Sequence, residues 1–155
     1  MELSSLIRSD AIRIVNSVSS KKRLLQNISD LAADVYGVAA DRAADALIER
    51  ETLGPTGVGK GIALPHARLE GLDHVIGCFM RLDRAVDFDA VDRQPVDLVF
   101  ALFAPPETGV DHLKALALVS RTLRDVNVCT KLRGSTDTTT LHAILTDAAT
   151  SEAAA

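Results

Sequence analysis

The chain is poor in cysteine, lacks any long apolar run and carries no surplus of positive charge. Its two cysteines sit in apolar contexts, Cys78 within VIGCFMRL and Cys129 within VNVCTKL, where a thiol behaves as a small hydrophobe. Neither has ligand spacing to the other or to a histidine, so neither a disulfide nor a metal site is expected. A formal net charge of −4 argues against a nucleic-acid surface, because neutralising phosphates takes clustered Lys and Arg. The one basic run, Lys21 to Arg23, reads as the solvated start of a helix. No apolar stretch approaches the ~20 residues of a membrane span, and no signal-type apolar region with a cleavage site opens the chain. A cytoplasmic protein without membrane insertion is the expectation. No internal repeat, linker or low-complexity segment is visible.

What is present suits one well-filled core: 155 residues, 47% of them hydrophobic. A strand is expected over Ile12 to Val18. A helix follows from about Ser20 to Tyr36, with Leu24, Ile28, Leu31 and Val35 on one stripe and Gly37 as its stop. A second helix, with Ala43, Ala44, Leu47 and Ile48 at helical spacing, ends near Arg50. Val75 to Leu82 and Val96 to Phe103 are near-continuous apolar runs, the pattern of strands covered on both faces. Asp111 is placed to cap a helix on which Leu113, Leu116, Ala117, Ser120 and Leu123 share a face, and Asp137 to cap a last one through Leu145. A sheet between two helical layers follows. The tail SEAAA (151–155) is expected to fray.

The chemistry concentrates in GPTGVGKGIALPHAR, Gly54 to Arg68. Gly54, Gly59 and Lys60 fit G-x-x-x-x-G-K of a phosphate-binding loop. That reading fails twice: Gly61 supplies no hydroxyl for magnesium, and the glycines follow a helix and precede a strand, the reverse of the order such a loop needs. The other reading centres on His66. Pro65 has no N–H and pushes Leu64 toward extended geometry, so His66 is expected at the end of a strand or in the turn after it. Glycines there allow close backbone approach to a group bound on His66; a plain turn followed by a surface histidine fits the same spacing.

The stretch LIERETLGPTGVGKGIALPHAR (Leu47 to Arg68) resembles the active-site segment of the mannitol/fructose-type EIIA domains of the bacterial phosphoenolpyruvate:sugar phosphotransferase system (PTS). FDAVDRQPVDLVFALFAPPE, DHLKALALVSRTL and SKKRLLQNISDLAADVYG are most similar to its nitrogen-regulatory branch. The likeness runs from about Leu6 to about Leu145. It implies an EIIA type-2 domain over 1–150, built as a three-layer α/β/α sandwich with a mixed, largely buried central sheet. It implies a phosphohistidine carrier that receives a phosphoryl group on His66 from an HPr-like phosphocarrier protein, with no nucleotide, metal or other cofactor. Regulatory targets such as transporters or sensor kinases are the implied partners. Where the family usually has G-N-G, this chain has Gly59, Lys60 and Gly61; Lys60 is expected to be exposed.

Transfer to an imidazole requires a neutral ring, one nitrogen aimed at phosphorus and the other hydrogen-bonded to fix the tautomer. Donors must also meet the charged equatorial oxygens. By the resemblance, Arg50 and His112 (in D-H-L) support the site. Arg50 as a surface arginine near a helix end and His112 as a solvent-open residue of a first helical turn are the bland alternatives. Thr56 and Gly57 are candidate phosphate contacts; the Thr56 hydroxyl fits a turn equally well. His74 and His142 are expected at the surface, and Asp87 and Asp89 on one solvated face of a strand. Two other functions stay open: a sugar-specific EIIA passing phosphate to an EIIB and, more distantly, a P-loop-like nucleotide binder.

Overall fold

The computed structural model describes residues 1–107 and 109–154, with side chains as far as Asp147. Chain order is α1 (Leu3–Leu6), β1 (Ile7–Val15), α2 (Lys21–Tyr36), α3 (Ala40–Thr52), β2 (Gly57–Gly59), β3 (Ile62–Ala63), β4 (His66–Arg68), β5 (Ile76–Val86), β6 (Val96–Ala104), α4 (Val110–Leu123), α5 (Val126–Gly134) and α6 (Thr138–Ala154). The tail expected to fray lies outside the described side chains, and Ala155 outside the described residues.

The sheet runs β1-β5-β6-β3-β2, with β4 also on β6. It is mixed: β1 is parallel to β5, β5 antiparallel to β6, and β3 and β4 both parallel to β6. Both faces are covered, by α2 and α3 on one side and by α4 and α6 on the other. That is why β5 as far as Leu82 and nearly all of β6 are buried and read as continuous apolar runs. An α/β/α sandwich results, as the sequence indicates.

Local chemistry sets the helix ends. The Ser20 hydroxyl accepts from Arg23 N–H at 3.1 Å and Gly37 closes α2 in the left-handed region. Asp125 and Asp137 accept the backbone N–H groups of Asn127 and Thr140 at 2.9 and 2.8 Å. Asp111, by contrast, is not a cap: α4 starts at Val110 from Gly109, and Asp111 is an acid in its first turn, where it complements the helix dipole.

Three further expectations are corrected. The first strand begins at Ile7, not Ile12, because the polar stretch Arg8–Asp10 lies exposed on an edge strand; there the Tyr36 hydroxyl accepts from Arg8 N–H (3.0 Å) and donates to the Gly77 carbonyl (2.7 Å) across a register shift. On α4 the buried residues are His112, Ala115, Leu118, Val119, Thr122 and Leu123, while Leu113 is 68% exposed. The helical period is right and the phase is not, since a run such as ALALV suits either face. Asp87 and Asp89 fall in the loop after β5, where Asp87 accepts the Asp89 N–H at 3.0 Å, rather than on a strand.

Candidate functional site

Two short strands carry the central segment along one edge of β6. β3 pairs with Leu98 and Val99, and β4 pairs His66, Ala67 and Arg68 with Leu102, Phe103 and Ala104. Between them Leu64 and Pro65 interrupt the ladder, because proline donates nothing. The interruption matters. It leaves the Leu64 carbonyl free to accept from His66 Nδ1 at 2.9 Å, while Leu102 N–H takes the Pro65 carbonyl at 3.0 Å. His66 is thus the first residue of a separate strand, held to its own strand break. With Nδ1 as the donor, Nε2 keeps its lone pair.

The end of α3 and the start of α4 flank this ring. His112 lies with its ring edge-on to His66, centroids 5.5 Å apart and planes at 74°. It is 7% exposed, and its Nε2 has no hydrogen-bond partner among the described residues. Burial holds His112 far below its ordinary pKa, at about 4, with His66 and the Arg68 charge adding to the effect. Burial likewise lowers His66, reinforced by Arg50 and opposed by the Leu64 hydrogen bond and Glu51. Both rings are therefore neutral at neutral pH. Two guanidinium groups stand beside them: Arg50 donates to the Gly54 carbonyl at 3.0 Å, and Arg68 to the Pro106 carbonyl at 2.9 Å. The site joins a lone-pair nitrogen to positive charge and an α-helix N-terminus, a setting suited to an incoming anion.

Thr56 lies just before β2 and Gly57 opens that strand, both beside this segment. Thr56 is buried; its N–H (3.2 Å) and its hydroxyl both go to the Glu51 carboxylate. Gly57 lies so close to the next loop that an added Cβ would come within 2.8 Å of Ala90 Cβ. Lys60 is exposed, as expected, in the two-residue turn joining β2 to β3, where it and Gly61 have φ of 58° and 81°. Positive φ at both central residues is what a tight hairpin demands, and Asn-Gly meets that demand best. Asp92 accepts the Lys60 N–H and Arg133 donates to its carbonyl, each at 2.9 Å. The turn thus explains the glycines without a nucleotide.

His74 is exposed beside Asp73, while His142 is half-buried with Nε2 3.2 Å from the Ile7 carbonyl, a structural contact rather than a surface position. Neither joins the site. Sequence reasoning passed over Glu51 and Arg68. Arg68 was reachable, because alternate residues of a strand share a face and His66 is two before it. Lys21, expected to be solvated, has its ammonium 2.7 Å from Glu51. Among the described residues no cluster of His, Cys, Asp and Glu fits a metal ion, and no helix is long and apolar enough to cross a membrane.

With two neighbouring histidines and two guanidinium groups placed on a mixed sheet, comparison with known proteins gives the class. Residues 5–148 match the family model described as "Phosphoenolpyruvate-dependent sugar phosphotransferase system, EIIA 2". The chain belongs to this EIIA type 2 family. It is 44% identical over 145 residues to a nitrogen regulatory protein of Bradyrhizobium diazoefficiens, covering 94% of this chain and 95% of the relative. Against a nitrogen regulatory protein of Escherichia coli K12 the identity is 39% over 148 residues, covering 95% and 91%. The crystal structure of nitrogen regulatory protein IIA-Ntr from Neisseria meningitidis superposes with a TM-score of 0.85 at 30% identity, covering 93% of this chain and 99% of that one.

Proposed function

We propose that the protein is a nitrogen-regulatory EIIA of the PTS, a cytoplasmic phosphohistidine carrier that accepts its phosphoryl group on Nε2 of His66 from an HPr-like protein. The observation that carries this reading is the 2.9 Å bond from His66 Nδ1 to the Leu64 carbonyl, which assigns the proton to Nδ1 and leaves Nε2 as the nucleophile. In the transfer the Nε2 lone pair forms a new N–P bond as the donor's N–P bond breaks in line, and the donor imidazole leaves with the bonding pair. The proton stays on Nδ1, donated to the Leu64 carbonyl.

The transferring group spreads negative charge over three oxygens. Arg50, Arg68 and the N-terminal turn of α4 supply positive potential there, and His112 Nε2, buried without a partner among the described residues, supplies a polar atom that a phosphoryl oxygen would satisfy. Thr56 and Gly57 serve by shaping the backbone that leads into β2. Partner docking has a surface to use: Leu53, Val110 and Leu113, exposed by 81%, 62% and 68%, lie close in sequence to Arg50 and His112. The regulatory assignment rests on the relatives named above, and its expected targets are proteins such as transporters or sensor kinases rather than a sugar permease.

The test is mass spectrometry after incubation with phosphoenolpyruvate, Enzyme I and an HPr-type carrier. One acid-labile phosphate on the wild type and none on folded His66→Ala is the expected result; stoichiometric phosphate on that variant would overturn the assignment. Efficient onward transfer to an EIIB would favour the sugar-transport reading.

A further inference from the structure

A continuous series of contacts runs from the start of α2 to the His66 ring. The Lys21 ammonium lies 2.7 Å from Glu51 Oε2, at the end of α3. The same carboxylate accepts the Thr56 N–H at 3.2 Å and the Thr56 hydroxyl. The Thr56 carbonyl accepts the Leu64 N–H at 2.9 Å, and the Leu64 carbonyl accepts His66 Nδ1–H at 2.9 Å. Glu51 is almost fully sheltered, its side chain 6% exposed, and Thr56 is 4% exposed. A buried carboxylate is costly unless every lone pair has a donor; here three donors converge on it.

The geometry points to Glu51 as a positioning residue for phosphoryl transfer, acting through Thr56 and Leu64 to hold the carbonyl that selects the His66 tautomer. The inference rests on the reading of His66 as acceptor. Glu51 does not touch the reacting nitrogen. Nor does it act by polarising a chain of amides: at Thr56 and at Leu64 the N–H and the carbonyl belong to different peptide groups, so the series transmits position. Its effect is geometric. The Leu64 carbonyl stands free because Pro65 breaks the ladder, and what fixes its direction is the Leu64 N–H on Thr56, itself tied at both its N–H and its hydroxyl to Glu51. If Thr56 is released, the Leu64 peptide can rotate, the Nδ1 bond weakens, and the proton redistributes toward Nε2, where it blocks attack.

The experiment uses the full chain with 15N-labelled histidine. In the wild type the His66 nitrogens should show a protonated Nδ1 and a lone-pair Nε2. In Glu51→Ala the His66 signals should move toward a mixture with protonated Nε2, and phosphoryl acceptance from the HPr-type carrier should slow about tenfold to a hundredfold, the scale of a small misplacement of a reacting group. Glu51→Gln keeps the shape, with its oxygen facing Lys21 and the Thr56 N–H and its amide facing the Thr56 oxygen, and should restore most of both. Should Glu51→Ala fail to fold, Thr56→Val, nearly isosteric, removes the hydroxyl link and should show the same tautomer shift. Unchanged His66 signals and unchanged acceptance in a folded Glu51→Ala or Thr56→Val would overturn the inference. A wild type that accepts no phosphate on His66 would instead refute the reading beneath it.

Discussion

At His66 a single proton decides reactivity. Burial first, then the Arg50 charge, holds this ring below the ordinary histidine pKa of about 6.5, so the nucleophilic neutral form should persist as pH falls through that value. A 15N titration of His66 should place its midpoint clearly lower; a midpoint at or above the ordinary value would mean that the ring is more open to water than described. Lys60 is a second residue where local physics predicts an outcome. Its φ of 58° puts a side chain in a region that costs an ordinary L-residue roughly 1–2 kcal/mol, a cost that Asn largely escapes. Lys60→Asn should therefore raise stability by about 1 kcal/mol in denaturant titration and leave phosphoryl acceptance intact. ATP with magnesium should bind negligibly to either form, and calorimetry showing micromolar binding lost in Lys60→Ala would revive the nucleotide reading.

Helix ends organise the next scale. Since α4 presents its first turn to His66, phosphorylation would bring negative charge against His112 and should lift its pKa from about 4; an unmoved His112 titration in the phosphorylated protein would place the group elsewhere. At the far end of α5, buried Arg81 donates to the carbonyls of Leu132 (3.1 Å) and Ser135 and pairs with Asp83 at 3.1 Å. Arg81→Met should destabilise the fold by roughly 1–3 kcal/mol, the cost of orphaned buried carbonyls, while His66 stays competent. How far the elements were legible follows from their chemistry. α2 announces itself through Ser20, Gly37 and a clean stripe; β5 and β6 do so through unbroken apolar runs. α5 goes unannounced because VNVCTKLRG is short and weakly patterned, and the α4 phase is ambiguous where nearly every position is apolar. His66, Arg50 and His112 were visible by resemblance to a motif. Glu51 and Lys21 were not, since nothing in a sequence marks a lysine at one helix start as the partner of a glutamate at another helix end.

Across the whole molecule the two neutral histidines make stability depend on pH. The folded state holds His112 at about 4, whereas the unfolded chain takes up its proton near 6.5. Between those values the unfolded state binds more protons, so stability falls as pH drops through that window, and His66 adds in the same direction. Urea titrations at about pH 7 and about pH 5 should show this loss, and His112→Gln should reduce it; equal pH dependence in the variant would assign the effect to other groups. The sandwich brings α3, the β3–β4 edge and α4 together at one end of β6, and the proposed role of His66 Nε2 as phosphoryl acceptor rests on that convergence. The decisive measurement is the nitrogen–phosphorus coupling in 15N-histidine-labelled protein phosphorylated through Enzyme I and an HPr-type carrier. Coupling is expected at His66 Nε2, with Nδ1 still protonated. Coupling at Nδ1, or phosphate on any other histidine, would contradict that role.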